Sequence, residues 1–307
     1  VIDSAALRAD RSWQLTWTDG RLDEAVFRLD PDTAADRRDL VERLGADPTD
    51  PERWESALVE AVLTDPASAD LRRLELRLTD FHHSASRAAA ALAAHRRDRL
   101  TTLYFGHDFE FLYEDAHTST GGRFDPLSRL HEGFADDIRH GLWAALPALR
   151  ELTAEGGLLF DEIGGAALTD LRLRGAVLAD GAVFPHEAPG VVSLVVDSGT
   201  DVFGVACPVD HLAELGPRGW PALRHLDLSR AEFDPSDLAT VRALAESRIV
   251  PQLATLTLGA LRVNDHEADD PIGALTALAP AFAHLTLTVA GETNVDGAAR
   301  ALSGVDR

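Results

Sequence analysis

The chain has 307 residues, 45% of them hydrophobic and 26% charged, with a net charge of −22 from 51 acidic and 29 basic residues. That composition can build a soluble core, but the acid excess leaves no basic stripe for a phosphate backbone and disfavours an anionic membrane. A single cysteine, Cys207, excludes an intrachain disulfide, and no apolar run approaches the roughly 20 residues of a membrane span.

Every basic residue is Arg, Met is absent, and only Asn264 and Asn294 represent asparagine. This bias looks like that of a high-GC bacterial genome. Without a basic-then-apolar leader the expected location is cytoplasmic. Val1 in place of an initiator points to a trimmed chain or a piece of a longer reading frame. Cys207, beside Val205 and Ala206, reads as a small core filler.

In chain order, Trp13–Thr18 and Glu24–Leu29 alternate apolar and polar residues around Asp19-Gly20, which predicts a β-hairpin. Asp30-Pro31-Asp32-Thr33 then opens a helix through Leu40, Val41 and Leu44 that Gly45 ends. A second helix fits Pro51–Leu63, with Trp54, Leu58, Ala61 and Val62 on one face. These elements, residues 1–66, are expected to form an N-terminal cap.

From residue 67 to 307 the pattern apolar-x-x-apolar-x-apolar recurs. Copies begin at Leu71, Leu100, Leu149, Leu168, Val191, Leu223, Leu253 and Phe282. Their spacings are 29, 49, 19, 23, 32, 30 and 29 residues. About eight repeats with such a period are the signature of a stacked solenoid. Each hexad should give a strand whose fourth and sixth residues face the interior and whose third and fifth face outward. Ala-rich Ser84–Arg97, Pro235–Ser247 and Asp270–Leu278 should return as helices. The short step after Leu149 leaves room only for a loop over Glu155–Ala166. The long step after Leu100 holds an extra segment at 108–122, ahead of a helical Pro126–Leu146.

With the hexads aligned, residues 71 to about 290 resemble bacterial leucine-rich repeat proteins with ribonuclease-inhibitor-like repeat lengths. The N-terminal part resembles the repeat-companion segment of such proteins, through Trp13-Gln-Leu-Thr-Trp17 and the stretch from Pro66 into Leu74. The resemblance implies an α/β leucine-rich repeat solenoid, a horseshoe with parallel strands on its concave face and helices and loops on the convex face. It implies protein-binding scaffolds and carries over no catalytic residue. One family feature is missing: three positions after each hexad stand Thr79, Asp108, Gly157, Ala176, Gly199, Ala231, Leu261 and Ala290, where Asn or Cys is usual. The turns must be satisfied in another way.

The candidate partner-binding residues are those at the outward positions: Arg73, Glu75, Arg77, Tyr104, Glu151, Glu155, Asp170, Arg172, Arg174, Asp197, His225 and Asp227. Thr255, Thr257, Thr286 and Thr288 continue that face with hydroxyls. For most of these positions taken singly, a solvated strand face with internal ion pairs is sufficient explanation, and it is the face as a whole that is the binding candidate. His82-His83 and His107-Asp108 could approach one another in adjacent repeats and bind zinc. No HExxH or paired CxxC accompanies them, and surface histidines in turns explain the pattern more cheaply. No GxSxG, phosphate-binding glycine frame or paired-carboxylate site is present. The expected function is therefore a non-enzymatic scaffold for a protein partner, with no metal, cofactor, nucleic acid or membrane. The alternatives are a regulatory or substrate-recognition module of a longer enzyme, or a metal-dependent hydrolase built on the His-rich turns.

Overall fold

The computed structural model describes residues 14–28, 51–78, 85–108, 110, 113–117, 119–123, 141–156, 163–175, 187–200, 206–264 and 266–303. Several expectations lie outside these residues: the helix after Asp30, the His82-His83 pair, and most of the helix expected from Pro126. So do the side chains of Trp54, Leu58 and His107. The chain divides into two compact units, residues 1–168 and 169–307.

The first unit begins with the hairpin β1 (Gln14–Thr18) and β2 (Arg21–Arg28). Its two-residue turn has φ of 50° at Asp19 and 80° at Gly20, left-handed values that Asp and Gly tolerate best. Three further strands run in parallel: β3 (Arg73–Leu78), β4 (Thr102–His107) and β5 (Glu151–Glu155). β2 is itself a member of this row, with Ala25 opposite Leu74 and Phe27 opposite Leu76. Leu22, Ala25 and Phe27 are buried and occupy the first, fourth and sixth places of a hexad. The hairpin therefore contributes a repeat strand as well as an end strand, hidden in the sequence because Ala25 stands where leucine is usual.

Helix α1 (Pro51–Thr64) buries Val59, Val62 and Leu63, while Ala61 is only half-buried, so its inner face is turned slightly from the expected one. It packs on α2 (Ser86–Ala93), which in turn packs on the single turn α3 (Leu142–Ala145). Buried Arg97 ties these layers together. Its guanidinium donates to Leu63 O and Ser68 Oγ, and its amide donates to Ala145 O. Among the described residues between β5 and Leu168 the backbone is non-helical, as the 19-residue step requires.

The second unit repeats the scheme with β6 (Asp170–Arg174), β7 (Ser193–Ser198), β9 (His225–Ala231), β11 (Thr255–Leu258) and β12 (Thr286–Val289), in that order and all parallel. A small ladder, β8 (Cys207–Pro208) with β10 (Phe233–Asp234), lies outside this row. Cys207 there is fully buried, a core position rather than a surface thiol. The returning helices are α4 (His211–Glu214), α5 (Asp237–Glu246), α6 (Pro271–Leu278) and α7 (Ala298–Ser303). Ser236 and Asp270 cap α5 and α6, accepting from Ala239 N and Gly273 N.

Repeats join through a recurring bond, in which the third residue of a hexad donates to the second residue of the hexad before. Thr255 N donates to Arg224 O and Thr286 N to Ala254 O. That bond corrects the last repeat. Thr286 is a third residue and Leu287 pairs with Leu256, so the frame begins at His284 and not at Phe282. A two-residue slip preserves the alternation, so Thr286 and Thr288 still face outward.

Acid and amide side chains beyond the row strands make cross-repeat bonds in place of the missing Asn ladder. Asp234 accepts from Ala206 N at 3.0 Å, Asp237 from Arg262 N at 2.7 Å, and Asn294 from Val263 N at 2.9 Å while donating to Val263 O at 3.0 Å. Gly259 meets a steric demand instead: a Cβ there would lie 2.6 Å from Ser229 O in the preceding repeat.

Candidate functional site

In each unit the strand face opposite the leucine row collects the third and fifth residues of every hexad, and the residue after the sixth. The three positions differ in character. Those nearest the start of the strand, Arg73, Glu151, Asp170 and His225, are exposed. Arg77, Arg172 and Asp227 are half-buried. Glu75, Tyr104, Glu155, Arg174 and Asp197 are buried, which turns their chemistry toward one another.

In the first unit, Glu75 sits between two guanidiniums of its own strand. Arg73 donates Nε to Oε1 at 2.9 Å and Arg77 donates Nε to Oε2 at 2.6 Å. Burial pushes the Glu75 carboxyl up, but these hydrogen bonds outweigh it and hold the group below its usual range. Arg77 spans to β4 and beyond. Its guanidinium lies 4.0 Å from the centroid of the Tyr104 ring and reaches Asp108 Oδ2 at 3.2 Å. The Tyr104 hydroxyl donates to Glu155 Oε2 on β5. A single polar chain thus crosses three strands. At the strand start, Thr102 Oγ1 donates to the exposed Glu151 at 3.3 Å.

In the second unit the organising group is Asp197, 1% exposed. Its Oδ2 accepts from Arg172 Nε at 3.1 Å and Nη2 at 2.6 Å, and from Arg174 Nε at 2.9 Å. Arg230 Nη1 stands 3.8 Å from the same oxygen. Arg230 is a residue that spacing alone misses. An irregularity between Val195 and Asp197 sets Asp197 opposite Arg230 instead of Ser229, and β9 runs two residues longer than β6. Farther along, Asp227 Oδ1 accepts from Ser229 N at 2.8 Å, and His225 Nδ1 lies 2.9 Å from Thr255 Oγ1. Thr257 and Thr288 continue the row without charge.

The other candidates can also be placed. Asp108, considered as a zinc ligand, is 1% exposed and is an ion-pair partner of Arg77. Among the described residues, no three His, Cys, Asp or Glu side chains gather closely enough to hold a metal ion. Among them, too, no helix is long and apolar enough to cross a membrane.

No family model and no curated protein matches the chain. A solved structure from Bacteroides fragilis is similar over 88% of this chain and 73% of its own length, with 17% identity and a TM-score of 0.49. The leucine-rich repeat-containing protein LegL7 from Legionella pneumophila is similar over 85% of this chain and 97% of its own, with 14% identity and a TM-score of 0.32. Both scores lie below one half, so strand register carries the fold assignment and likeness adds nothing to it.

Proposed function

We propose that this chain is a non-enzymatic, leucine-rich repeat scaffold that holds a protein partner against the concave strand face. One observation carries the reading. Parallel pairing places equivalent outward side chains in rows about 4.8 Å apart on the ordered backbone of each unit, and those rows combine exposed charge with hydroxyls. Such a surface loses little conformational entropy on binding, because the backbone and many side chains are already fixed. Buried residues such as Glu75 and Asp197 would set the geometry of their neighbours, while Arg73, Glu151, Asp170, Arg172, His225 and the threonines would meet the partner.

Blocking the face without touching its charges tests this. Val195→Trp with Thr257→Trp adds uncharged bulk at two half-buried outward positions of the second unit. Affinity capture of the native partner should fall at least tenfold while the far-UV circular dichroism spectrum is unchanged. A folded double variant that captures the same partner undiminished would remove that unit's strand face as the binding surface.

A further inference from the structure

We infer that Arg172 and Arg230 form a preset clamp for a carboxylate side chain on an acidic segment of the partner protein. This rests on the strand-face reading above and gives it a chemistry. Both guanidiniums are anchored at Asp197 Oδ2, Arg172 Nη2 at 2.6 Å and Arg230 Nη1 at 3.8 Å. The two nitrogens therefore stand no farther apart than the sum of those contacts, a gap that one carboxylate can bridge. The anchor and the clamp differ sharply in exposure: the Asp197 side chain is 1% exposed, while those of Arg172 and Arg230 are 41% and 44% exposed. Asp197 therefore fixes the arginines from beneath, and much of each cation remains on the surface.

Arginine loses much rotamer freedom when it first engages a ligand, and here part of that loss is met within the fold. Its planar, multiply donating head suits carboxylate, and arginine is enriched among residues that dominate interfaces. The net charge of −22 opposes any anion at long range. At about 0.15 M salt, however, charges beyond about 8 Å are largely screened, so the adjacent guanidiniums decide the outcome. The same balance favours a short acidic segment over a polyanionic nucleic acid, whose continuous backbone would meet the acidic surface around the clamp.

The test uses the full chain and a fluorescein-labelled octapeptide of alternating glutamate and glycine, with binding read by fluorescence anisotropy at about 0.15 M salt. Wild type should bind saturably, and Arg172→Gln with Arg230→Gln should bind at least tenfold more weakly. Arg218→Gln with Arg300→Gln removes equal charge from exposed positions elsewhere in the unit and should leave affinity unchanged. If the clamp double variant loses its circular dichroism spectrum, Arg230→Gln alone, whose contact with Asp197 is the longer one, is read in its place and should weaken binding at least threefold. No saturable binding by wild type, an equal loss in the control pair, or tighter binding of an eight-residue oligothymidylate would each overturn the clamp. The blocking variant separates the two ideas. Partner capture lost on blocking, with no peptide binding, leaves the scaffold reading standing and removes only the clamp. Peptide binding with capture undiminished on blocking removes the strand-face reading.

Discussion

Leu226→Ala tests the repeat register at its centre. Leu226 is 1% exposed and lies between Leu194 and Leu256 in successive strands. The substitution removes three carbons, worth about 2.4 kcal/mol at roughly 0.8 kcal/mol each. Neighbouring strands are held by backbone ladders, so the void cannot close fully, and a cavity cost adds to the transfer loss. The expected destabilisation is about 3–4 kcal/mol, inside the usual range for buried leucine. His225→Ala, one residue earlier and on the exposed face, should cost under about 0.5 kcal/mol. Urea unfolding monitored by far-UV circular dichroism compares them: at a slope near 3 kcal/mol/M, the leucine variant should lose roughly 1 M in midpoint. Repeat arrays can unfold in parts, so hydrogen exchange of β7, β9 and β11 amides should show the loss concentrated there. Equal costs for the two variants would refute the assigned alternation of inward and outward residues.

The same geometry sets three further outcomes. Gly259→Ala should destabilise by about 1–3 kcal/mol in the same urea assay, because its Cβ would press on the Ser229 carbonyl, a backbone group that cannot rotate away. The Glu75 carboxyl is held below its usual range, so its contribution is complete above the ordinary value of 4.5 and fades as pH falls through the lowered one. Thermal melts from pH 6 to 3 should therefore decline more steeply for wild type than for Glu75→Gln. Asp237 has the opposite sign: burial raises its pKa above 3.8 despite the hydrogen bond from Arg262 N, so its charged form costs stability as pH rises through the raised value. Asp237→Asn, which keeps an acceptor for that amide, should gain on wild type as pH is raised from about 3.8, and a constant gap would contradict the assignment.

The leucine rows were legible because strand alternation is a property of local sequence, and seven of the eight hexads keep their frame in the ladders. One error of frame and one uncounted repeat strand have a common physical source. At the C-terminal end, Phe282-Ala-His-Leu-Thr-Leu fits the pattern better than His284-Leu-Thr-Leu-Thr-Val, whose first place is polar, yet the bond from Thr286 N to Ala254 O and the pairing of Leu287 with Leu256 select the second. At the N-terminal end, the expected hairpin strand carries Ala25 where leucine is usual, and its pairing, Ala25 with Leu74 and Phe27 with Leu76, makes it part of the row. Spacing reports which residues could stack, whereas register is fixed by backbone bonds between segments far apart in sequence.

The candidate site shows the same division. Its outward residues could be named in advance because alternation places them, but their burial could not, because it depends on which charges find one another. Spacing puts Glu75 and Arg77 on one outward face without naming their partners, and they are joined in one ion pair, with Arg77 lying over Tyr104. Arg230 was invisible because the irregularity at Val195 and Asp197 changes which residue meets the strand face. A solenoid fixes its rows by simple repetition, so the departures from repetition distinguish one binding face from another. In the second unit that departure brings a third guanidinium to Asp197, where strict spacing would have placed the hydroxyl of Ser229.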